Sequence, residues 1–177
     1  MIPIRAGTRA DGFSLIELMI VLGLVAVVTG AAIPSIMSGM RRYSLISASQ
    51  QVVSTIRAAR HQAVGRNATL RVRFDCPADN QYRIVEVTED AGIDADVNRC
   101  DYASYPFPAG DSDPATLPNL DGAVQYLPQG ANFSAVSGDI QITPSGRMTT
   151  AETIVVSNED GQSRTITVSA SGRVQLP

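Results

Sequence analysis

The segment from Gly12 to Ile33 constrains this chain more than any other, because it places one carboxylate in a run that is apolar enough to cross a membrane. The run covers the 21 residues of 13–33, and Glu17 is its only ionisable residue. A helix of that length spans roughly 30 Å, the thickness of the hydrocarbon core. A charge in such a helix costs about 2.5–3.5 kcal/mol near the bilayer centre and less near an end, so it points to a function and to a cationic partner.

Three simpler explanations account for only part of this segment. A secretory signal peptide would use Arg5 and Arg9 as its positive region, but its apolar stretch covers only roughly 7–15 residues and precedes a small-residue cleavage site. A plain membrane anchor explains the length and leaves Glu17 unexplained. A buried core helix normally keeps a polar face, which 13–33 lacks.

The residues Gly12-Phe13-Ser14-Leu15-Ile16-Glu17 resemble the cleavage and methylation motif of type IV prepilins and type II secretion pseudopilins. The resemblance implies that a prepilin peptidase cuts after Gly12, that the new N-terminal Phe13 is N-methylated, and that the apolar segment stays in the mature protein. Glycine before the scissile bond leaves room for the peptidase, and the two leader arginines hold the leader in the cytoplasm. Asp11 departs from the basic residues usual at this position in the family.

The same resemblance assigns Glu17 a partner. In pilin filaments the apolar helices pack together, and the carboxylate at this position pairs with the N-terminal amine of a neighbouring subunit. A paired buried charge is tolerated where an unpaired one is not, so Glu17 would hold each subunit in step with its neighbour. The expected partners are the prepilin peptidase, other pilin or pseudopilin subunits and the inner-membrane assembly platform. The expected location is the bacterial inner membrane, with the rest of the chain in the periplasm, and then the filament.

Beyond Ile33 the pattern changes from uniformly apolar to amphipathic. Pro34 ends the apolar run, and the resemblance to pilins, in which prolines in this region kink or locally melt the stem, implies a kink here. Apolar residues then recur at three- and four-residue spacing, which predicts a helix with one apolar face: Leu45, Ala48, Val52, Ile56, Ala59 and Ala63. Gly65 and Asn67 supply a stop, so one kinked helix is predicted over 13–65.

Residues 68–177 are predicted to form a β-rich head. In 69–74, apolar Leu70 and Val72 alternate with arginines, which is the pattern of a half-buried strand. Further strands are predicted over 82–87, 123–127, 140–143, 153–157, 164–169 and 173–176. Hairpins are predicted around Asp160-Gly161 and Ser171-Gly172, and 89–120 is interpreted as a long surface insertion.

The predicted fold class is therefore α+β, with a long N-terminal helix packed on an antiparallel β-sheet head in the manner of type IV pilins. Its parts are a leader over 1–12, a membrane-spanning and filament-core helix over 13–34, an amphipathic helix over 35–67 and the head over 68–177.

Three short sequences carry a closer resemblance, to the GspH/FimT family of minor pilins and pseudopilins. They are Arg57-Ala58-Ala59-Arg60, Gly65-Arg66-Asn67 before a strand, and Ser171-Gly172-Arg173-Val174. The resemblance implies a minor type IV pilin that helps to initiate assembly. The close alternative is the H-type pseudopilin of a type II secretion system, because both machines use the same stem.

A further alternative is a DNA-binding minor pilin, because FimT-like members take part in DNA uptake through a Gly-Arg-x-Arg motif near the C-terminus. Here Gln175 replaces the second arginine, which removes one phosphate contact. Arg173, with Arg147 and Arg164, is the candidate DNA-binding set. The net charge is −3, or −4 without the leader from 12 basic and 16 acidic residues, and this argues against a head built mainly for nucleic acid.

The two cysteines, Cys76 and Cys100, both lie in the head. In the oxidising periplasm a disulfide is predicted, with two free thiols as the alternative. Asp94-Ala95-Asp96-Val97-Asn98 resembles the start of a calcium loop, but Arg99 stands where glycine is needed, so an exposed acidic turn is the preferred interpretation. No metal, cofactor or catalytic role is predicted, because one lone histidine, His61, and the absence of a nucleophile motif leave nothing to support catalysis.

Overall fold

The computed structural model describes residues 12–88, 94 and 121–176, with the backbone alone for 31–35. The chain divides into two compact units, Met1–Gly39 and Met40–Pro177. One helix, α1, covers Leu15–Arg66 and agrees closely with the predicted bounds. Helix is assigned at Pro34 as at its neighbours, and the kink there stays a prediction.

In the first unit, α1 exposes apolar side chains in every direction. Consecutive helix residues point about 100° apart, yet Leu15, Ile16, Leu18 and Met19 are all more than half exposed. The N–H group of Leu18 donates to the carbonyl of Ser14 at 3.1 Å, so the first helical turn forms directly after the glycine of the motif. Within the described residues, no helical stretch is both long enough and apolar enough to span a bilayer.

The second unit is built around the later part of α1, and its predicted apolar stripe is confirmed. Leu45 is 4% exposed, and the other five predicted residues are 0% exposed. They belong to one hydrophobic core together with side chains from both sheets, among them Leu70, Ile140, Ile154 and Ile166. The helix therefore provides one wall of the core.

Eight strands form the rest of the described head: β1 Leu70–Phe74, β2 Gln81–Glu86, β3 Gln125–Tyr126, β4 Ala131–Val136, β5 Ile140–Ile142, β6 Glu152–Asn158, β7 Ser163–Val168 and β8 Val174–Gln175. They make two four-stranded sheets, in the orders β3-β2-β1-β5 and β4-β6-β7-β8. Every pairing in both sheets is antiparallel.

An aromatic cluster joins the two sheets. Phe74 of β1 and Tyr82 of β2 are direct register partners, as expected for the predicted half-buried strand. The ring of Phe133 from β4 packs edge-on against both, with ring centroids 5.3 Å and 5.8 Å apart. Aromatic pairs favour such edge-to-face contacts, so this cluster fixes one sheet against the other.

Strand β4 was not predicted, and its sequence explains why. Ala131-Asn132-Phe133-Ser134-Ala135-Val136 contains few large apolar residues, and a bulge between Phe133 and Ala135 breaks its alternation. A bulge places an extra residue on one strand, so a strict two-residue period is lost. All seven predicted strands are confirmed in position, and they are divided between two sheets. Of the predicted insertion over 89–120, all but Asp94 lies outside the described residues.

Candidate functional site

The predicted cleavage site lies in non-helical backbone before α1. Phe13 is 84% exposed, and no atom would contact a Cβ placed on Gly12 within 4 Å. A peptidase needs an accessible segment, and both Gly12 and Phe13 are exposed. Cleavage after Gly12 and methylation of Phe13 stay predictions.

Glu17 lies in the first turn of α1 and is exposed. A carboxylate there interacts favourably with the helix dipole, whose positive end is at the N-terminus. The surrounding side chains are apolar, so a partner for Glu17 has to come from outside this segment or from the N-terminus itself. Its pairing with a neighbouring amine stays a prediction.

Cys76 lies two residues after the end of β1 and is 1% exposed. It is disulfide-bonded, and its N–H group donates to the carbonyl of Gln81 at 3.1 Å. Cys100 lies outside the described residues, so the predicted pairing of these two cysteines stays a prediction.

A second candidate site is formed by two turns that share the sequence Ser-Gly-Arg. In the first, the N–H of Thr143 donates to the carbonyl of Arg147 at 2.9 Å, and the N–H of Gly146 donates back to Thr143 at 2.8 Å. In the second, Ser169 and Arg173 make the equivalent bond at 3.0 Å, and Gly172 donates to Ser169 at 2.8 Å. We call 143–147 and 169–173 the twin turns.

Both turns depend on glycine in the left-handed region of backbone conformation. Gly146 has φ +75° and Gly172 has φ +84°, values that other L-residues adopt only at a cost. The turns also touch, because a Cβ on Gly172 would lie 2.7 Å from the carbonyl oxygen of Gly146. The N–H of Met148 donates to the carbonyl of Ala170 at 3.0 Å and joins the two turns directly.

Arg60 of α1 bridges the twin turns. Its Nε donates to the carbonyl of Gly146 at 2.8 Å, and its Nη1 donates to the carbonyl of Gly172 at 3.5 Å. Hydrogen bonds from a charged donor are stronger than neutral ones, so one side chain holds both turns against the helix. From the sequence, Arg60 is distinguished only as part of the Arg57-Ala58-Ala59-Arg60 resemblance. The repeated Ser-Gly-Arg tripeptide was the signal that could have revealed its partners.

Of the three arginines proposed for DNA binding, the structure brings two together. Arg147 and Arg173 are exposed, and each follows the glycine of one twin turn. Arg164 lies near the opposite end of β7, where it is the register partner of Val156. In the amide orientation that satisfies both groups, Gln175 Oε1 accepts bonds from Arg173 Nε at 3.0 Å and Nη2 at 3.2 Å. Arg173 also borders a shallow open depression on the β7–β8 side of the head.

Two further ion pairs fix the first sheet. Arg83 and Asp121 are fully buried, with Nη2 and Oδ2 3.6 Å apart, and Asp121 Oδ1 accepts the N–H of Glu86 at 2.5 Å. This contact attaches the chain to β2 just after the insertion. Asp139 lies 3.2 Å from Arg73 Nε. Burial raises the pKa of the Asp139 carboxyl, against the opposing attraction of Arg73 and Arg71.

The acidic stretch that begins at Asp94 is described at that residue alone. Asp94 Oδ1 accepts bonds from the N–H and the hydroxyl of Thr88, at 2.8 Å and 2.9 Å. In residues 12–88, 94 and 121–176, no group of three or more His, Cys, Asp or Glu side chains could hold a metal ion.

Comparison with protein-family models gives two matches. Residues 48–172 match the model described as type II transport protein GspH, and residues 8–33 match the prokaryotic N-terminal methylation motif. Among curated proteins, no relative matches this sequence.

Two kinds of solved structure are similar to this chain. The type IV minor pilin FimU of Pseudomonas aeruginosa has 18% identity and a TM-score of 0.50, covering 77% of this chain and 90% of its own. The minor pseudopilin EpsH of the Vibrio cholerae type 2 secretion system has 16% identity and a TM-score of 0.47, covering 75% of this chain and 94% of its own. At these identities the FimU likeness concerns the fold, which has a helix packed on antiparallel sheets.

Proposed function

Given that this chain belongs to the GspH family and carries the prokaryotic N-terminal methylation motif, we propose that it is a minor pilin that helps to initiate assembly of a type IV pilus. Prepilin peptidase cleaves it after Gly12, and Phe13 becomes the methylated N-terminus. The role is structural and not catalytic.

One observation carries this proposal: over residues 15–30 of α1, exposed apolar side chains point in every direction, and Glu17 is the only carboxylate among them. A helix of this kind is stable only in apolar surroundings, which lipid provides before assembly and neighbouring helices provide afterwards. We place the protein in the inner membrane as a single-pass subunit with its head in the periplasm, from which the assembly platform moves it into the filament.

Glu17 sets the register of the packed helices in this proposal. Cleavage after Gly12 creates an amine four residues before Glu17, and the matching amine of a neighbouring subunit neutralises the carboxylate. A subunit out of step leaves a charge in hydrocarbon, and removing one partner of a buried ion pair costs about 3–5 kcal/mol.

The test is to replace Glu17 in the full-length protein. For Glu17→Ala we expect normal membrane insertion and a mature N-terminus at Phe13. We also expect the amount of the protein in sheared filaments to fall at least about tenfold, because the neighbouring amine is left without its partner. Glu17→Asp keeps the charge and is the matched control, expected to retain most incorporation. Quantitative immunoblotting and intact mass measure both steps. Normal incorporation of Glu17→Ala would remove this role.

A second candidate is the same subunit in a different machine, the H-type pseudopilin of a type II secretion system. The description of the matching family model favours it. Deletion of the gene separates the two candidates: a minor pilin is required for surface pili, whereas a pseudopilin is required for release of secreted proteins into the medium.

A further inference from the structure

Charge is divided sharply along this sequence. Between residues 18 and 74 there are seven arginines and no acidic residue, whereas from 75 onward there are 15 acidic residues and five arginines. In the folded head, part of this division appears as a difference in exposed charge between its two ends. We call the part around α1 residues 40–51 the near end, and the part around α1 residues 57–66 the far end.

Arginines collect at the far end. Arg57 is exposed on α1, one turn before Arg60, whose guanidinium holds both twin turns. Arg147 and Arg173 are exposed at equivalent positions of those turns. We call Arg57, Arg147 and Arg173 the far-end arginine surface. Arg66, also exposed, ends the helix on the same side.

Four described carboxylates lie toward the far end, and each is buried or already accepts hydrogen bonds within the head. Glu86 is buried opposite Leu70, and the buried side chain of Asp121 lies beside Arg83. Glu152, which is the register partner of Val168, accepts from the hydroxyls of Ser137 and Thr150. Asp94 accepts from Thr88. Within the part of the chain that the structure describes, the exposed arginines therefore dominate the charge around the twin turns.

Exposed carboxylates collect at the near end. In the β6–β7 turn, Asp160 Oδ2 lies 3.2 Å from Arg41 Nε, and the Glu159 side chain is 65% exposed. Asp75 and Asp79 are exposed in the β1–β2 turn. We call these two turns the near-end acidic turns.

The β1–β2 turn belongs to the near end through the bonds of its neighbours. The carbonyl of Asn80 accepts the N–H of Leu127 at 3.1 Å. The carbonyl of Tyr126, one residue earlier, accepts from Gln51 Nε2 at 3.1 Å. Among the described residues, the near end thus exposes four carboxylates beside Arg41 and Arg42, whereas the charges exposed at the far end are mainly arginines.

We propose that, in the filament, the far-end arginine surface of one subunit contacts the near-end acidic turns of the next subunit. That next subunit is a pilin whose head exposes carboxylates at the same places as the head of this chain. This inference rests on the proposed function. A contact between opposite ends of similar molecules is heterologous, and repetition of such a contact builds an open filament rather than a closed dimer. Exposed charges of opposite sign select the partner and its orientation more than they add affinity.

The absence of lysine from this sequence allows a direct test in assembled filaments. Arg57→Lys and Arg173→Lys conserve the charge, and each introduces the only side-chain amine of the full-length chain. A carbodiimide joins such an amine to a carboxylate in direct contact. We expect a product of two-subunit mass in which mass spectrometry links residue 57 or 173 to a near-end carboxylate of another pilin.

Arg42→Lys is the matched control, because Arg42 is an exposed arginine of the same helix at the near end. We expect it to give about tenfold less of this product, because coupling requires an ion pair within about 4 Å.

The proposal is overturned by equal coupling from Arg42→Lys, by a product of one-subunit mass that joins 173 to 89–120, or by no coupling in filaments that contain the protein. It is also overturned if Arg57→Ala and Arg173→Ala abolish a DNA gel shift and leave filament content unchanged. If the unaltered protein is itself missing from sheared filaments, the proposed function fails instead.

Discussion

The two parts of α1 use one helical backbone in opposite ways. Over residues 15–30, apolar side chains point in every direction and stay exposed, as at Ile20, which is 58% exposed. After residue 44, apolar side chains form one stripe that the sheets bury, as at Ile56, which is 0% exposed. The later part is stabilised by the chain itself, whereas the apolar side chains of the earlier part have no such cover from the described head, and the proposed cover is lipid or other subunits.

The charged residues of the two parts differ in the same way. Arg60 donates to two carbonyl groups of its own head. Glu17 has no ion pair within the described residues, and its proposed partner belongs to another subunit. The first part of α1 is therefore proposed to act in assembly, whereas the second part forms the core of one head.

The largest expected effect comes from making one substitution in both parts. Ile56→Ala removes a fully buried side chain and should lower the free energy of unfolding of the head by about 3 kcal/mol, because a cavity is left in the core. Ile20→Ala should leave the melting temperature of the head unchanged. Both are measured on full-length protein in detergent micelles by circular dichroism. Equal losses for the two variants would break the comparison between the parts.

A second, smaller effect is expected when glycines of the two parts are replaced by alanine. Gly172→Ala combines a positive φ with a contact of 2.7 Å to the Gly146 carbonyl oxygen. We expect a loss of about 2 kcal/mol or more, since a left-handed conformation costs about 1–2 kcal/mol and overpacking adds to it. Thermal unfolding of the full-length protein measures this loss.

Two control glycines separate the causes. Gly161→Ala has φ +76° but open space around its Cβ, so it should lose only about 1 kcal/mol. Gly23→Ala, in the first part of α1, also meets open space and should not lower the stability of the head. If Gly172→Ala lost no more stability than Gly161→Ala, the close contact between the twin turns would make no measurable contribution to the free energy of unfolding.

Most of the fold was predictable because its signals are local. The stripe from Leu45 to Ala63 follows helical spacing, and Leu70 and Val72 follow strand spacing, so burial on one face was evident from the pattern. Strand β4 was not evident, because its bulge changes the period and the bond from its Phe133 N–H to Asn80 is a tertiary contact. The division into two sheets likewise depends on contacts between distant residues.

The candidate site was predictable where one motif carried it and not where two segments had to meet. Residues 12–17 form a continuous motif, so their role could be proposed from the sequence. The twin turns lie 26 residues apart and share only three letters, and Arg60 lies far before both. Grouping Arg164 with Arg147 and Arg173 followed from residue type alone, and strand β7 places Arg164 toward its other end.

The smallest expected effect concerns a carboxylate whose partner lies inside the head. Burial raises the pKa of Asp139, although Arg73 and Arg71 oppose this. A carboxyl with a higher pKa in the folded state binds more protons when folded, so its contribution to stability is favourable at low pH. That contribution is lost as the pH rises from about 4, the pKa in the unfolded chain, through the raised pKa of the folded state.

Asp139→Asn should therefore gain stability relative to the unaltered protein as the pH is raised from about 3.5 to about 7. Melting temperatures of both proteins across this range measure the trend, with Asp79→Asn on an exposed turn as control. A difference that stays constant with pH would show that Arg73 fully compensates for the burial of Asp139.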